Sequence, residues 1–306
     1  ENEKNQRINK TGRTRNTGQN IMTVVYLNGQ YIPDTEAKVS VFDRGFLFGD
    51  SVYEVIPFYA GKPLGERQHL ARLKESLRKT EIQSALSSTD WLAIFNTLLE
   101  KNELTASDAR IYLQISRGSM ASRQHAIPEK ITPTVFATVT PAQRPSIKDL
   151  EKGVSLVTVD DFRWHQNHIK ATALLGNILQ LQHAMSQKAD DAILVRDGFL
   201  TESTASNVFI VKDNVICTPV ADKLILHGIT RAIVLNIAKQ LDIPTEERAI
   251  SFEELRHADE IWLTGSSKEI VPVLKLDGET VGTGQPGAVW QQIIKQYHEL
   301  REHPEL

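Results

Sequence analysis

The chain has 306 residues, 41% hydrophobic and 24% charged, a composition that describes a globular protein with room for two ordinary cores. Residues 1–21 carry Lys4, Arg7, Lys10, Arg13 and Arg15 against Glu1 and Glu3; the rest holds 30 basic and 36 acidic residues, which argues against a nucleic-acid-binding surface. The single cysteine, Cys217, excludes an intrachain disulfide and fits a reducing, cytoplasmic compartment, and no apolar run approaches the roughly 20 residues of a membrane span.

Residues 1–21 are polar, with Ile8 and Ile21 their only aliphatic side chains, and lack the patterns of a signal or transit peptide. The expectation for them is a disordered tail or an expression remnant, with Met22 a candidate native start. From there TVVYLNG and QYIP read as two strands joined at Asn28–Gly29, a good two-residue hairpin turn. Gly45 and Gly49 interrupt the next stretch. VYEVIPFY then reads as a strand with Tyr53, Val55 and Pro57 on one face, and Pro57, which cannot donate to a ladder, places that position at an edge or bulge. Leu70, Leu73 and Leu77 predict a helix from about Glu66, and WLAIFNTLLEKN predicts a second. The strands ARIYLQISRG and TPTVFATVT follow, separated by the loop SMASRQHAIPEK.

PAQRPS, at Pro141–Ser146, is the best linker candidate. The expected division is a small N-terminal domain over 22–140, a linker over 141–147 and a larger domain over 148–306. The second unit opens with the strand VSLVTV from Val154, then RWHQNHIKATALLGN, then an amphipathic helix from Leu174 to about Lys188. Turns at Asp197–Gly198 and Asp213–Asn214 predict antiparallel hairpins across DAILVRDGFLTESTASNVFIVKDNVICTP. A helix near Gly228, the strands EIWLTGSS and EIVPVLKLDG, and a C-terminal helix complete the order. Without steady βαβ alternation, α+β is the expected class. Gly282, Gly284 and Gly287 spell a dinucleotide-binding signature, yet only 19 residues follow, too few for the rest of a βαβ unit, so a turn is expected. His165 and His168 lack partners at metal-ligand spacing, so no metal site is expected.

Lys170 lies at a strand-to-helix junction, where a lysine can project into a cleft. A lysine that forms a Schiff base with an aldehyde cofactor needs a protein that anchors the cofactor and tunes its electronics. Glu202, in LTESTASN, could keep a pyridine nitrogen protonated. Gly228-Ile229-Thr230 at a helix start and Thr264-Gly265-Ser266-Ser267 at a strand end could cup a phosphate with backbone N–H groups and hydroxyls. Arg72, among the leucines of its helix, needs an anion if buried. Each alone has an ordinary explanation: solvated charge, turn glutamate, capping sequence, surface ion pair.

DRGFLFGDSVYEV, HLARL, HIKATALLGNIL, LTESTASNVFIV, LHGITR and LTGSSKEI occur in the order seen in fold type IV pyridoxal-phosphate enzymes, and the chain resembles that family from Val24 to its C-terminal helix. The resemblance implies a two-domain α+β fold and pyridoxal 5′-phosphate as cofactor. It makes Lys170 similar to the cofactor-binding lysine and Glu202 to the pyridine-nitrogen partner. Arg72, Ile229, Thr230, Ser266 and Ser267 resemble the phosphate cup. The loop YLQISRGSMASRQHAIPE is similar to that of the D-amino acid aminotransferases, where an R-x-H pair from the partner subunit and the tyrosine of VYE hold the substrate carboxylate. Those positions are Arg123, His125 and Tyr53, and a homodimer with shared active sites is implied. Arginine suits the task because its fork grips a carboxylate through two hydrogen bonds.

The implied activity is transamination between D-amino acids such as D-alanine and a 2-oxo acid such as 2-oxoglutarate. Two alternatives share the scaffold: a branched-chain L-amino acid aminotransferase and a 4-amino-4-deoxychorismate lyase. His168 stands where the family often has an acid, Ala171 where it has a serine, and Ser203 where it has a glycine. These departures bear on rate and pH dependence.

Overall fold

A computed structural model describes residues 23–84 and 86–304. The expectations for residues 1–21 and for Met22 fall outside them. The first half contains β1 (Val24–Leu27), β2 (Gln30–Pro33), α1 (Arg44–Phe48), β3 (Ser51–Tyr59), β4 (Lys62–Pro63), α2 (Glu66–Thr80), α3 (Ser88–Lys101), β5 (Ala109–Ser116) and β6 (Thr134–Pro141). Its strands form one antiparallel sheet in the order β2-β1-β6-β5-β3-β4. Alternation divides the faces: Ile111, Leu113 and Ile115 of β5 and Val52 and Ile56 of β3 are fully buried in one core with Leu70, Leu73 and Leu77 of α2 and with Trp91, Phe95 and Leu98 of α3. Tyr53, Val55 and Tyr112 alternate onto the other face, and the Tyr53 and Tyr112 rings stack with centroids 5.7 Å apart.

Local chemistry sets the element ends. α2 begins at Gly65, whose φ of 68° is left-handed and where a Cβ would sit 2.8 Å from Ile229 Cγ2, so glycine serves both the turn and the close approach. α3 begins at Ser88, three residues before the sequence expectation, because Ser87 and Asp90 close a reciprocal capping box. α1 is a helix that the hydrophobic pattern does not predict. Asp43 caps its start by accepting from Gly45 N, and Gly49, at φ 66°, ends it. Pro57 pairs with Arg110 of β5, while on its other side β4 pairs only with Phe58 and Tyr59, which leaves most of β3 as an edge, as the proline implies.

The second half contains α4 (Ile147–Leu150), β7 (Val154–Asp160), α5 (Leu175–Ser186), β8 (Asp191–Arg196), β9 (Phe199–Ser203), β10 (Asn207–Lys212), β11 (Val215–Thr218), α6 (Ile229–Gln240), β12 (Thr245–Glu247), α7 (Phe252–Arg256), β13 (Glu260–Gly265), β14 (Glu269–Leu276), β15 (Glu279–Thr280) and α8 (Ala288–Glu302). Residues 142–146 separate β6 from α4. The sheet runs β12-β11-β10-β13-β14-β7-β8-β9, with β15 on β14. β14–β7, β7–β8 and β11–β12 are parallel and the other pairs antiparallel, so the architecture is α+β as expected. α6 and α8 cover one side through Val234, Ile237, Trp290, Ile293 and Tyr297. Gly282 and Gly284 take left-handed turn conformations and Gly287 starts α8, which agrees with the expected turn. α5 departs from its expected amphipathic burial: Leu175, Ile178, Leu179 and Met185 are exposed, and only Gln180 and Ala184 are buried.

Candidate active site

The loop that carries Lys170 does not lie free. Its backbone runs along the open edge of β3: Tyr53 N donates to Lys170 O at 3.0 Å, Thr172 N to Ser51 O at 3.0 Å, and Val52 bridges to Ala171. The lysine of the second half is thereby fixed beside the first sheet, at a cavity of about 350 Å³. Eight of the ten residues singled out from the sequence line that cavity: Tyr53, Arg72, Lys170, Glu202, Ile229, Thr230, Ser266 and Ser267.

Lys170 Nζ stands 4.0 Å from the centroid of the Tyr53 ring. Burial, helped by the positive charge of Arg72, pulls its ammonium down to about 8. Such a lysine presents far more neutral amine near pH 7 than an ordinary one, the form needed of a nucleophile or a proton acceptor. Glu202 is buried at the end of β9. Its carboxylate accepts from Arg163 Nη1 at 2.6 Å, from Asn207 Nδ2 at 3.2 Å and from Leu226 N at 2.9 Å. Burial raises its carboxyl while Arg163 opposes the rise. Arg163 is in turn gripped by Asp161 through Nε and Nη2, each at 2.9 Å. Burial pushes the Asp161 carboxyl up, but Arg163 outweighs that and holds it at about 2.

Gly228 allows this arrangement. A Cβ there would lie 1.9 Å from Asn207 Oδ1, in the place of the side chain that holds Glu202 and accepts no crowding. Gly228 also leaves the first turn of α6 without a side-chain cap, so its N–H groups remain available for an anion. Arg72 donates to both Glu54 oxygens at 2.8 Å and to His227 O at 3.0 Å, using three of its five donors. Burial raises the Glu54 carboxyl, but Arg72 and His69 overcome that and hold it at about 2.

Three further hydroxyls matter. Ser203 Oγ, Ser206 Oγ and Thr264 Oγ1 line the cavity, are buried, and have no hydrogen-bond partner within the described residues. Buried unsatisfied hydroxyls cost about 1–3 kcal/mol each, which a polar ligand in the cavity would recover. An aromatic ligand with an anionic tail fits what lines this cavity: an uncapped helix start, Arg72 and hydroxyls for the anion, with a buried carboxylate and an amine besides. Among the described residues no three His, Cys, Asp or Glu side chains cluster to hold a metal.

Arg123 and His125 are not in the cavity. Both are exposed, and they meet at Phe48, whose ring centroid is 4.9 Å from the Arg123 guanidinium carbon and 5.2 Å from the His125 ring. Of the departures, His168 sits against Lys79 Nζ at 2.6 Å, where burial and that ammonium lower its pKa. Ala171 and Ser203 both line the cavity. Sequence reasoning missed Arg163, Asn207 and Lys268; Lys268 lines the cavity while paired to buried Asp191. The run RWHQNHIK contains Arg163 seven residues before Lys170, but only the fold reveals its contact with Glu202.

A family model for class IV amino-transferases matches residues 51–276. The D-alanine aminotransferase of Bacillus licheniformis is 39% identical over 269 residues, covering 88% of this chain and 94% of that one. That of Staphylococcus haemolyticus is 36% identical over 282 residues, covering 92% and 99%. Among solved structures, the branched-chain amino acid aminotransferase of Escherichia coli superimposes with a TM-score of 0.85 at 28% identity, covering 91% and 94%.

Proposed function

The chain belongs to the class IV amino-transferase family, and from that premise we propose that it exchanges amino groups between D-amino acids, of the D-alanine type, and 2-oxo acids such as 2-oxoglutarate. What carries this reading is the meeting of the buried Lys170 amine and the buried, triply held Glu202 carboxylate at one cavity. The D-amino acid relatives supply the substrate class.

When bound, pyridoxal 5′-phosphate supplies an aldehyde that takes up the amino group and a pyridine ring that draws electrons from the substrate Cα. Ile229, Thr230, Ser266 and Ser267, with Arg72, would hold its phosphate, and Lys170 would hold its aldehyde carbon. Glu202 would hold a proton on the ring nitrogen, kept in place by Arg163, Asn207 and Leu226 N. When not bonded to the cofactor, Lys170 Nζ would be placed to take the proton from the substrate Cα and to give it back, so that one amine serves as base and then as acid. Tyr53 would grip the substrate carboxylate together with Arg123 and His125 of a second copy. The exposure of that pair outside their own cavity fits this role, as does the exposed apolar row Leu175, Ile178 and Leu179 on α5, so a homodimer is part of the reading. Tyr53 is driven to a higher pKa by burial and by Glu54, so its hydroxyl stays a donor at neutral pH.

The visible band of the lysine-bound cofactor is the test. D-alanine should bleach it and 2-oxoglutarate restore it, while L-leucine leaves it unchanged. Bleaching by L-leucine alone would reassign the chain to the branched-chain enzymes whose fold it shares. Lys170→Ala should lose turnover by at least about a thousandfold while the protein still binds cofactor; near-normal rates would refute the proposal.

A further inference from the structure

Arg44 is a buried arginine outside the cavity, and its guanidinium is spent almost entirely on one loop. Nη1 donates to Gln124 O at 2.9 Å and Ala126 O at 3.3 Å, and touches Met120 Sδ at 3.4 Å. Nη2 donates to His125 O at 3.1 Å, and Nε to Asp50 Oδ2 at 2.7 Å. Three consecutive carbonyls are thus held by one rigid, planar group. The segment they belong to forms no helix or strand between Met120 and Ile131, so its own backbone supplies little to fix it. Holding the carbonyls on both sides of His125 orients its peptide planes, and with them the direction in which its side chain leaves the chain.

Phe48 completes the template. It lies four residues after Arg44 on α1, hence on the same helix face, and the Arg44 guanidinium carbon is 5.1 Å from its ring centroid. Arg123 stacks over the same ring and His125 meets it edge-on. One short helix therefore holds the loop backbone with its first residue and both side chains with its last. The base of the loop is tied in too: Arg44 N donates to Gly118 O at 2.9 Å and Asp43 bridges to Ser119.

We infer that Arg44 and Phe48 are positioning residues for substrate recognition: they preset Arg123 and His125 in the geometry that grips the substrate carboxylate. The inference rests on the proposed carboxylate-binding role of that pair. Ordering the pair before substrate arrives removes an entropic cost from binding, so the effect belongs in substrate affinity.

The test is the steady-state kinetics of the holoenzyme with D-alanine and 2-oxoglutarate. Arg44→Met should raise KM for both by about tenfold or more while kcat changes less than about threefold, and Arg44→Lys should recover part of the loss. The cofactor's visible band should be unchanged in both variants. Asp50 keeps both oxygens paired with Arg117 when Arg44 is gone, which favours folding of these variants. Arg44→Met should add little to the KM of an enzyme that already carries both Arg123→Ala and His125→Ala, because it acts through that pair. If Arg44→Met fails to fold, Phe48→Leu, alone and combined with Arg123→Ala and His125→Ala together, takes its place in the same cycle. Unchanged KM in Arg44→Met alongside a raised KM in Arg123→Ala would overturn this inference alone. So would effects that multiply when Arg44→Met is added to the variant lacking both Arg123 and His125 side chains. An Arg123→Ala enzyme with unchanged KM would overturn the carboxylate-binding role itself, and this inference with it.

Discussion

At the scale of single residues, the site is built from charges that share partners. Glu54 is fully buried and ties Arg72 to His69, so removing its charge leaves a guanidinium unpaired at the cavity wall. Glu54→Gln should cost about 3–5 kcal/mol of stability and weaken cofactor retention, measured by denaturant unfolding and by dialysis of the coloured protein. Because its folded pKa is depressed to about 2 from 4.5, the stabilisation is complete above the unfolded value and is lost as pH falls toward the folded one. Lys170 shows the opposite sign of use. An amine at about 8 is neutral in roughly one molecule of ten at pH 7, against fewer than about one in a thousand for an ordinary lysine at 10.5. Covalent capture of pyridoxal phosphate by the cofactor-free protein should therefore quicken from pH 6 to about pH 8 and level off above it, which rapid-mixing absorbance would follow. Lys170 and Glu202 were legible in the sequence because they sit in ordered motifs. Arg163 and Asn207 were not, because what distinguishes them from other polar residues is burial and a shared carboxylate.

At the scale of elements, long periodic segments were legible and short capped ones were not. Leu70, Leu73 and Leu77 announce α2, whereas α1 has five residues, shorter than any periodicity can reveal, and is defined by Asp43 and Gly49 at its ends. α3 likewise starts where Ser87 and Asp90 dictate, upstream of its first apolar residue. α5 misled for another reason: an apolar stripe predicts burial but not by what, and here much of it stays on the surface of the single chain. The start of α6 gives a prediction at this level. Gly228→Ala would force Asn207 aside and loosen Glu202, so cofactor affinity should fall by about tenfold, equivalent to about 1.4 kcal/mol, in a fluorescence titration. Unaltered affinity would show that Asn207 can move without disturbing the carboxylate.

At the scale of the whole molecule, the two halves meet along specific links. Tyr59 at the end of β3 donates to Glu269 at 2.9 Å, and Glu269 is held by Arg301 at 2.7 Å and His298 at 3.0 Å. Arg301 reaches back to Pro145 O between the halves at 3.0 Å. The stretch outside regular elements is 142–146, narrower than the linker expected over 141–147, since β6 takes in Pro141 and α4 takes in Ile147. Another link is the run from Lys170 to Thr172 along the open edge of β3. With Lys170 in its proposed role, that run would make the attachment point of the cofactor a seam: its backbone is clamped by one sheet while its chain belongs to the other. A chromophore anchored on a seam works as a gauge of closure. In rising urea the visible band should fade while far-ultraviolet ellipticity still persists, since the seam needs only part before either sheet melts. Colour would then record whether the two halves are zipped together, and added pyridoxal phosphate would act as the stitch that keeps them so.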